Sequence, residues 1–172
     1  VLSSSQYGTT ASDTMIGSVN ADYFYGLAGN DYISTDAGDD ILDGGAGDDI
    51  LDGGAGSDYF VTSTGADSLI DAEGNDYYQI NSKDFVDASA KTVITDGDGK
   101  GLLHLDNNVI ESKALTATSK TTWKANSGAY TLELKAGSLF ISMKDAAGSV
   151  EIKNFVNSED GYLGLVLPEY SE

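Results

Sequence analysis

The chain has 172 residues, of which 28 are acidic and nine basic, all nine lysine, so its formal charge is −19. A surface of that sign repels a nucleic-acid duplex and an anionic membrane, which excludes both as partners and leaves cations as the natural ones. Cysteine is absent, which removes disulfides and thiolate metal sites, and no run approaches the roughly 18 apolar residues of a membrane-inserted helix.

The charge is unevenly spread. Residues 1–82 hold 15 acidic residues and no lysine, whereas residues 83–172 hold 13 acidic residues and all nine lysines. The break near residue 82 marks an expected boundary between two regions, 1–82 and 83–172. The chain starts Val1-Leu-Ser-Ser, without Met or a signal-like stretch, and reads as a piece of a larger protein.

The first region repeats with a period of nine. Asp13, Asp22, Asp31, Asp40, Asp49, Asp58, Asp67 and Asp76 fall in one register. Two places after each stands a large apolar or aromatic residue: Met15, Phe24, Ile33, Leu42, Leu51, Phe60, Leu69 and Tyr78. Two places before it stand Gly29, Gly38, Gly47, Gly56, Gly65 and Gly74 in the last six repeats, and Ala11 and Asn20 in the first two. Gly44-Gly-Ala-Gly-Asp-Asp-Ile-Leu-Asp52 and Gly53-Gly-Ala-Gly-Ser-Asp-Tyr-Phe-Val61 are the most regular copies, and nonapeptides of this form build calcium-binding parallel β-helices.

Six residues of each repeat predict a glycine-rich turn and three predict a short strand whose middle side chain points inward. Two repeats make one coil of a flattened right-handed parallel solenoid, so eight make about four coils. Aspartates eighteen apart then stack at roughly 4.8 Å. Two carboxylates at that spacing repel by about 1 kcal/mol in water and about 3–4 kcal/mol at an effective dielectric near 20. Asp36, Asp39, Asp43, Asp48 and Asp52 add to the crowding. One large apolar residue in nine does not offset that repulsion together with chain entropy, so the segment requires a counter-ion to fold. The ligands on offer are carboxylates and turn carbonyls, without Cys or His, which selects a hard cation. Calcium, with 6–8 oxygen ligands, fits better than magnesium.

Residues 8–79 thus resemble the calcium-binding block of repeats-in-toxin (RTX) proteins. The resemblance implies a β-roll in which each calcium sits between one turn and the turn a coil later. The first turn gives the carbonyls of its positions one and three and its Asp; the second gives the carbonyls of positions two and four and its Asp. Carried onto this sequence, one site takes Gly26, Ala28 and Asp31 with Gly45, Gly47 and Asp49. The next takes Thr35, Ala37 and Asp40 with Gly54, Gly56 and Asp58. A third joins Gly44, Ala46 and Asp49 to Ser63, Gly65 and Asp67, and a fourth joins Gly53, Ala55 and Asp58 to Ala72, Gly74 and Asp76. Two earlier sites would use Gly17, Val19 and Asp22 with Asp36, Gly38 and Asp40, and Gly8, Thr10 and Asp13 with Leu27, Gly29 and Asp31. Ala11 and Asn20 depart from the pattern, which marks the first two turns as those to be distorted or empty, so the expectation is four to six calcium ions.

Beyond residue 83 the ninefold columns stop and the chain alternates: Val93-Ile-Thr, Leu102-Leu-His-Leu, Thr121-Thr-Trp-Lys, Tyr130-Thr-Leu-Glu-Leu, Ser138-Leu-Phe-Ile-Ser-Met, Val150-Glu-Ile-Lys-Asn-Phe and Tyr162-Leu-Gly-Leu-Val-Leu. This predicts a mainly antiparallel β region, with a short helix near Lys83–Ala90 and a loop or edge strand over Leu115–Thr122. Leu139-Phe-Ile-Ser-Met, Gly148-Ser-Val-Glu-Ile-Lys-Asn-Phe and Asp160-Gly-Tyr-Leu-Gly-Leu resemble the flank of RTX blocks in haemolysin-type and iron-regulated secreted proteins. That resemblance implies a C-terminal cap, which an open solenoid end requires. The whole is all-β.

Asp96-Gly-Asp-Gly-Lys-Gly101 reads as a glycine-rich turn, because it lacks the third acidic ligand of an EF-hand and has Asn107 in place of the closing Glu. His104 lies in an apolar alternating run without a nucleophile or metal partner and reads as packing, as do Trp123 and the tyrosines. No catalytic constellation is present, so the region is not read as an enzyme. The family resemblance implies a module of a larger protein that leaves a Gram-negative bacterium through type I secretion machinery. It would stay disordered without calcium and fold on reaching it, secreted or at the cell surface. The alternative is a surface adhesin or structural ligand-binding segment. An ice-binding array is missing from the third column, which reads Thr10, Val19, Ala28, Ala37, Ala46, Ala55, Thr64 and Glu73.

Overall fold

A computed structural model describes residues 5–110, 113, 115–157 and 162–171. The repeats form strands of three residues: β1 Ser5–Tyr7, β2 Thr14–Ile16, β3 Tyr23–Tyr25, β4 Tyr32–Ser34, β5 Ile41–Asp43, β6 Ile50–Asp52 and β7 Tyr59–Val61, followed by the longer β8 Ser68–Asp71 and β9 Asp76–Ile80. Consecutive strands enter opposite sheets, and every partner within the repeats lies eighteen residues away and parallel, as in Phe24↔Leu42 and Leu51↔Leu69. The middle residue of each strand from β2 to β7 is buried, and these side chains with Leu69 and Tyr78 form the column that fills the space between the sheets. From Gly29 to Gly65 the turns that join the strands carry a left-handed glycine at the fourth position. At Gly47 φ is +137° and a Cβ would run into the carbonyl of Gly29, so only glycine fits.

The parallel stacking runs past the recognisable repeats. After a 3-10 turn at Ser82–Asp84, β10 (Lys91–Asp96) lies on β8 with Ile94 beside Leu69, and β11 (Gly101–Leu105) lies on β9 with Leu103 beside Tyr78. The partner offset has grown from eighteen to twenty-five, and the apolar column simply continues. Of Leu102–Leu105, only His104 and Leu105 pair antiparallel, with Asn108–Val109. The expectation of antiparallel pairing is therefore corrected for Val93–Thr95, whose neighbours are both parallel, and for Leu102–Leu105 on its β9 side. So is the helix expected over Lys83–Ala90. There the Asp87 carboxylate accepts the N–H groups of Ser89 and Ala90, a side-chain turn that competes with helical hydrogen bonds.

A run of antiparallel pairs follows in β13 (Leu115–Ser119), β14 (Thr122–Ala125), β15 (Tyr130–Lys135), β16 (Ser138–Met143) and β17 (Ser149–Ile152). β17 pairs in parallel with β10, so one ten-stranded sheet runs β13-β14-β15-β16-β17-β10-β8-β6-β4-β2. The other sheet has seven strands and ends on the short β12 (Asn108–Val109), which turns back on β11. β13 forms the edge strand of the longer sheet. The strand expected at Tyr162–Leu167 is not formed. Leu163 and Gly164 have φ of +50° and +71°, which makes a turn closed by a single Tyr162–Leu165 bridge. Asp160 and Gly161 of the same motif lie outside the described residues. The chain is all-β, with parallel strands in stacked sheets and antiparallel strands towards its C-terminal end. Among the described residues no helix is long and apolar enough to cross a membrane.

Candidate metal centre

Each expected site pairs two turns eighteen residues apart, and the structure stacks all six pairs. Ala46 donates its N–H to the Leu27 carbonyl, Ala55 to Asp36, and Ala28 to Thr9. Ala37 donates to Ser18, Gly47 to Thr64 and Gly56 to Glu73. Position two is left-handed in the stacked turns at Leu27 (φ +79°), Asp36 (+74°), Gly45 (+85°) and Gly54 (+86°), which turns successive peptide groups against the neighbouring coil.

The repeat aspartates divide their two oxygens between two tasks. One oxygen, Oδ1, accepts the backbone N–H of the aspartate one coil earlier. Asp31 takes that of Asp13 and Asp49 that of Asp31, both at 2.8 Å; Asp58 takes that of Asp40 at 2.9 Å and Asp76 that of Asp58 at 3.0 Å. The other oxygen, Oδ2, of Asp31, Asp40, Asp49, Asp58, Asp67 and Asp76 is buried and has no protein hydrogen-bond partner. A buried carboxylate oxygen without a partner is costly unless a cation meets it. The surroundings fit one. A Cβ at Gly26 would meet the Asp31 carboxylate and the Gly44 carbonyl together. Glycine there keeps open a space lined by a carboxylate and a carbonyl, an all-oxygen donor set suited to calcium.

The first two turns differ. The Oδ2 of Asp13 accepts the backbone N–H (2.6 Å) and hydroxyl (2.9 Å) of Thr9, and that of Asp22 those of Ser18 (2.8 and 3.0 Å). Their own turns already occupy the oxygens that are unpartnered in later repeats. Among the extra acids, Asp39 and Asp48 accept the N–H of Ser57 and Ala66 one coil on. They stitch the rim of the stack.

The electrostatics of these carboxylates suit a cation site. Burial, followed by the charges of Asp31 and Asp48, raises Asp49 to about 6; burial and the charges of Asp49 and Asp48 raise Asp67 to about 7. Burial also pushes Asp40, Asp58, Asp71, Asp76 and Asp96 upward. Backbone donors oppose the rise without cancelling it. These are carboxylates gathered where charge is penalised and none of the described ion pairs reaches them.

The sequence reading passed over Asp71 and took Asp96 and Asp98 as parts of a turn. Carboxylate oxygens of Asp58, Asp71 and Asp76 lie within 4.8 Å of one another, as do those of Asp76, Asp96 and Asp98. Asp71 occupies the first position of its repeat, where Gly8, Gly17, Gly26, Gly44 and Gly53 stand elsewhere, and that column was the available signal. Asp96 is its partner one coil on. Asp96 takes the Tyr78 hydroxyl at 2.9 Å, and Asp98 is paired with Lys100 at 2.7 Å. The Asp96–Gly101 segment is a turn, as expected, held by Asp96 accepting the N–H groups of Asp98 and Gly99. His104 packs its ring on Tyr77, with centroids 4.2 Å apart, and Trp123 is buried with its indole N–H donated to the Pro168 carbonyl.

A family model for the RTX calcium-binding nonapeptide repeat matches four times, at residues 7–42, 25–60, 34–69 and 52–78. No curated protein matches the chain.

Proposed function

Through residues 7–78 the chain belongs to the RTX calcium-binding nonapeptide-repeat family, and from that premise we propose that calcium binding is what folds this β-roll. The reading is carried by the run of buried Oδ2 atoms without partners from Asp31 to Asp76. Six such atoms in a thin two-sheet stack form a structure whose ions are part of its core. Metal binding then acts as folding energy. Where calcium is scarce the carboxylates repel and the segment is disordered; where it is abundant the coils close. Such a switch suits a module exported unfolded by type I machinery from a Gram-negative bacterium and folded outside or at the cell surface, in the roughly millimolar calcium typical of extracellular sites. β13–β17 would serve as the cap that covers the end of the longer sheet. Any catalytic activity would come from other parts of a larger protein.

The test is a calcium titration of metal-free protein followed by far-ultraviolet circular dichroism, with magnesium in parallel. A cooperative gain of β signal with calcium alone, shifted to higher calcium by replacing Asp49 and Asp58 together with Ala, is the expected result. A chain fully β-structured without calcium would refute calcium-driven folding and favour a prefolded adhesin scaffold.

A further inference from the structure

The turn pair 53–58 and 71–76 differs chemically from the other pairs. Position one of the upper turn is glycine or threonine in the seven other repeats and contributes no carboxylate. Thr35, at that position, turns its hydroxyl to the Gly53 carbonyl at 2.8 Å. In the last repeat the residue is Asp71, 4 % exposed, with neither carboxylate oxygen hydrogen-bonded. Asp58 Oδ2 and Asp76 Oδ2 beside it are also buried and unpartnered, and the three carboxylates converge within 4.8 Å. Three buried carboxylates, each with at least one oxygen without a partner, therefore meet in one small volume. The ion pairs Lys91–Glu151, Lys100–Asp98 and Lys135–Glu133 leave all three acids untouched. The neighbouring group of Asp76, Asp96 and Asp98 is less suited, since Tyr78 and Lys100 already satisfy two of its members.

We propose that Asp71 is a direct calcium ligand and that Asp58, Asp71 and Asp76 form a three-carboxylate site that binds its ion more tightly than the two-carboxylate sites of the roll. The proposal rests on the calcium-binding reading above and adds a ligand that the repeat pattern does not contain. Its physical basis is charge count: oxygen sites for calcium gain affinity with each ionised ligand when their geometry is fixed. Here the geometry is fixed by the ladder, because Asp76 Oδ1 holds the Asp58 N–H and Gly97 donates its N–H to the Asp71 carbonyl. The site also lies where the last recognisable repeat meets β10, so its ion would join the stack to the coil above it.

The experiment is a calcium titration of the whole chain in competition with a chromophoric chelator, which resolves the tightest site from the rest. The wild-type protein is expected to bind one ion ahead of the others. Asp71→Asn and Asp71→Gly, the latter restoring the commonest residue of the column, are each expected to weaken that first ion by about tenfold or more and to leave the remaining ions and the calcium-saturated β signal unchanged. Unchanged first-ion affinity in Asp71→Asn overturns the proposal, as does a wild-type titration with no distinct tight site. Failure of both variants to fold in saturating calcium would make Asp71 structural and overturn it too. A wild-type chain that takes up no calcium at all refutes instead the reading on which the proposal rests.

Discussion

Replacing Asp49 by Ala should cost the calcium-loaded roll far more than replacing Asp13 by Ala, although both occupy the same column. Asp49 Oδ1 accepts the Asp31 N–H at 2.8 Å, and its Oδ2 is buried without a protein partner. Truncation leaves a buried N–H unpaired, at about 1–3 kcal/mol. On the proposed ligand sets it also strips one charged ligand from the site below and one from the site above. At about tenfold in affinity per site this is about 3 kcal/mol more. The total is about 5 kcal/mol. If about four ions bind as the chain folds, each decade of calcium changes stability by about 5–6 kcal/mol, so the midpoint should rise by close to a decade. Asp13 has its Oδ2 tied to the backbone N–H and hydroxyl of Thr9. Its loss should move the midpoint by no more than about twofold, the size of an ordinary surface substitution. Circular dichroism against buffered free calcium reads both. Equal shifts in the two variants would refute the division of labour between the two carboxylate oxygens.

Protonation should partly replace calcium. Asp49 and Asp67 rise in the folded state to about 6 and about 7, above the usual value near 3.9, so ionising them destabilises the metal-free roll as pH climbs through that window, with no penalty below about 4. Metal-free protein should accordingly show more β signal at pH 5 than at pH 8, and equal spectra would contradict the assignment. Gly47→Ala puts a Cβ against the Gly29 carbonyl at φ +137° and should lower stability in saturating calcium by about 2 kcal/mol or more, measured by urea unfolding. Tyr78→Phe removes the hydroxyl donated to Asp96 at 2.9 Å and should lower the thermal midpoint by the equivalent of about 1–3 kcal/mol without changing the number of ions bound.

The repeat half was legible because period and chemistry coincide there. One Asp and one apolar residue in every nine dictate where the chain turns and what it buries, from Met15 to Tyr78. The coil above it was not, for two reasons. The inserted loop lengthens the partner offset to twenty-five, and Thr92 and Gly101 stand where the stacked repeats carry Asp67 and Asp76. Without the acid column, the alternation in Val93–Thr95 and Leu102–Leu105 looks like hairpin sequence, although Ile94 and Leu103 take up the same inward positions as Leu69 and Tyr78. Asp71 was hidden differently. A carboxylate at a turn's first position looks like a lapse from the glycine pattern until folding sets it beside Asp58 and Asp76. The buried alternation of Leu163, Leu165 and Leu167 is real, yet the backbone there turns where a strand was expected.

β10 has β8 on one side and β17 on the other, parallel to both. The abrupt change in charge near residue 82 consequently has no mechanical counterpart. A pull applied to the antiparallel strands would load the roll through five further hydrogen-bonded strands of a single sheet, and calcium in the turns would stiffen residues that never touch it. Amide exchange in β17 should slow when calcium is added, as though the ions had been bound there.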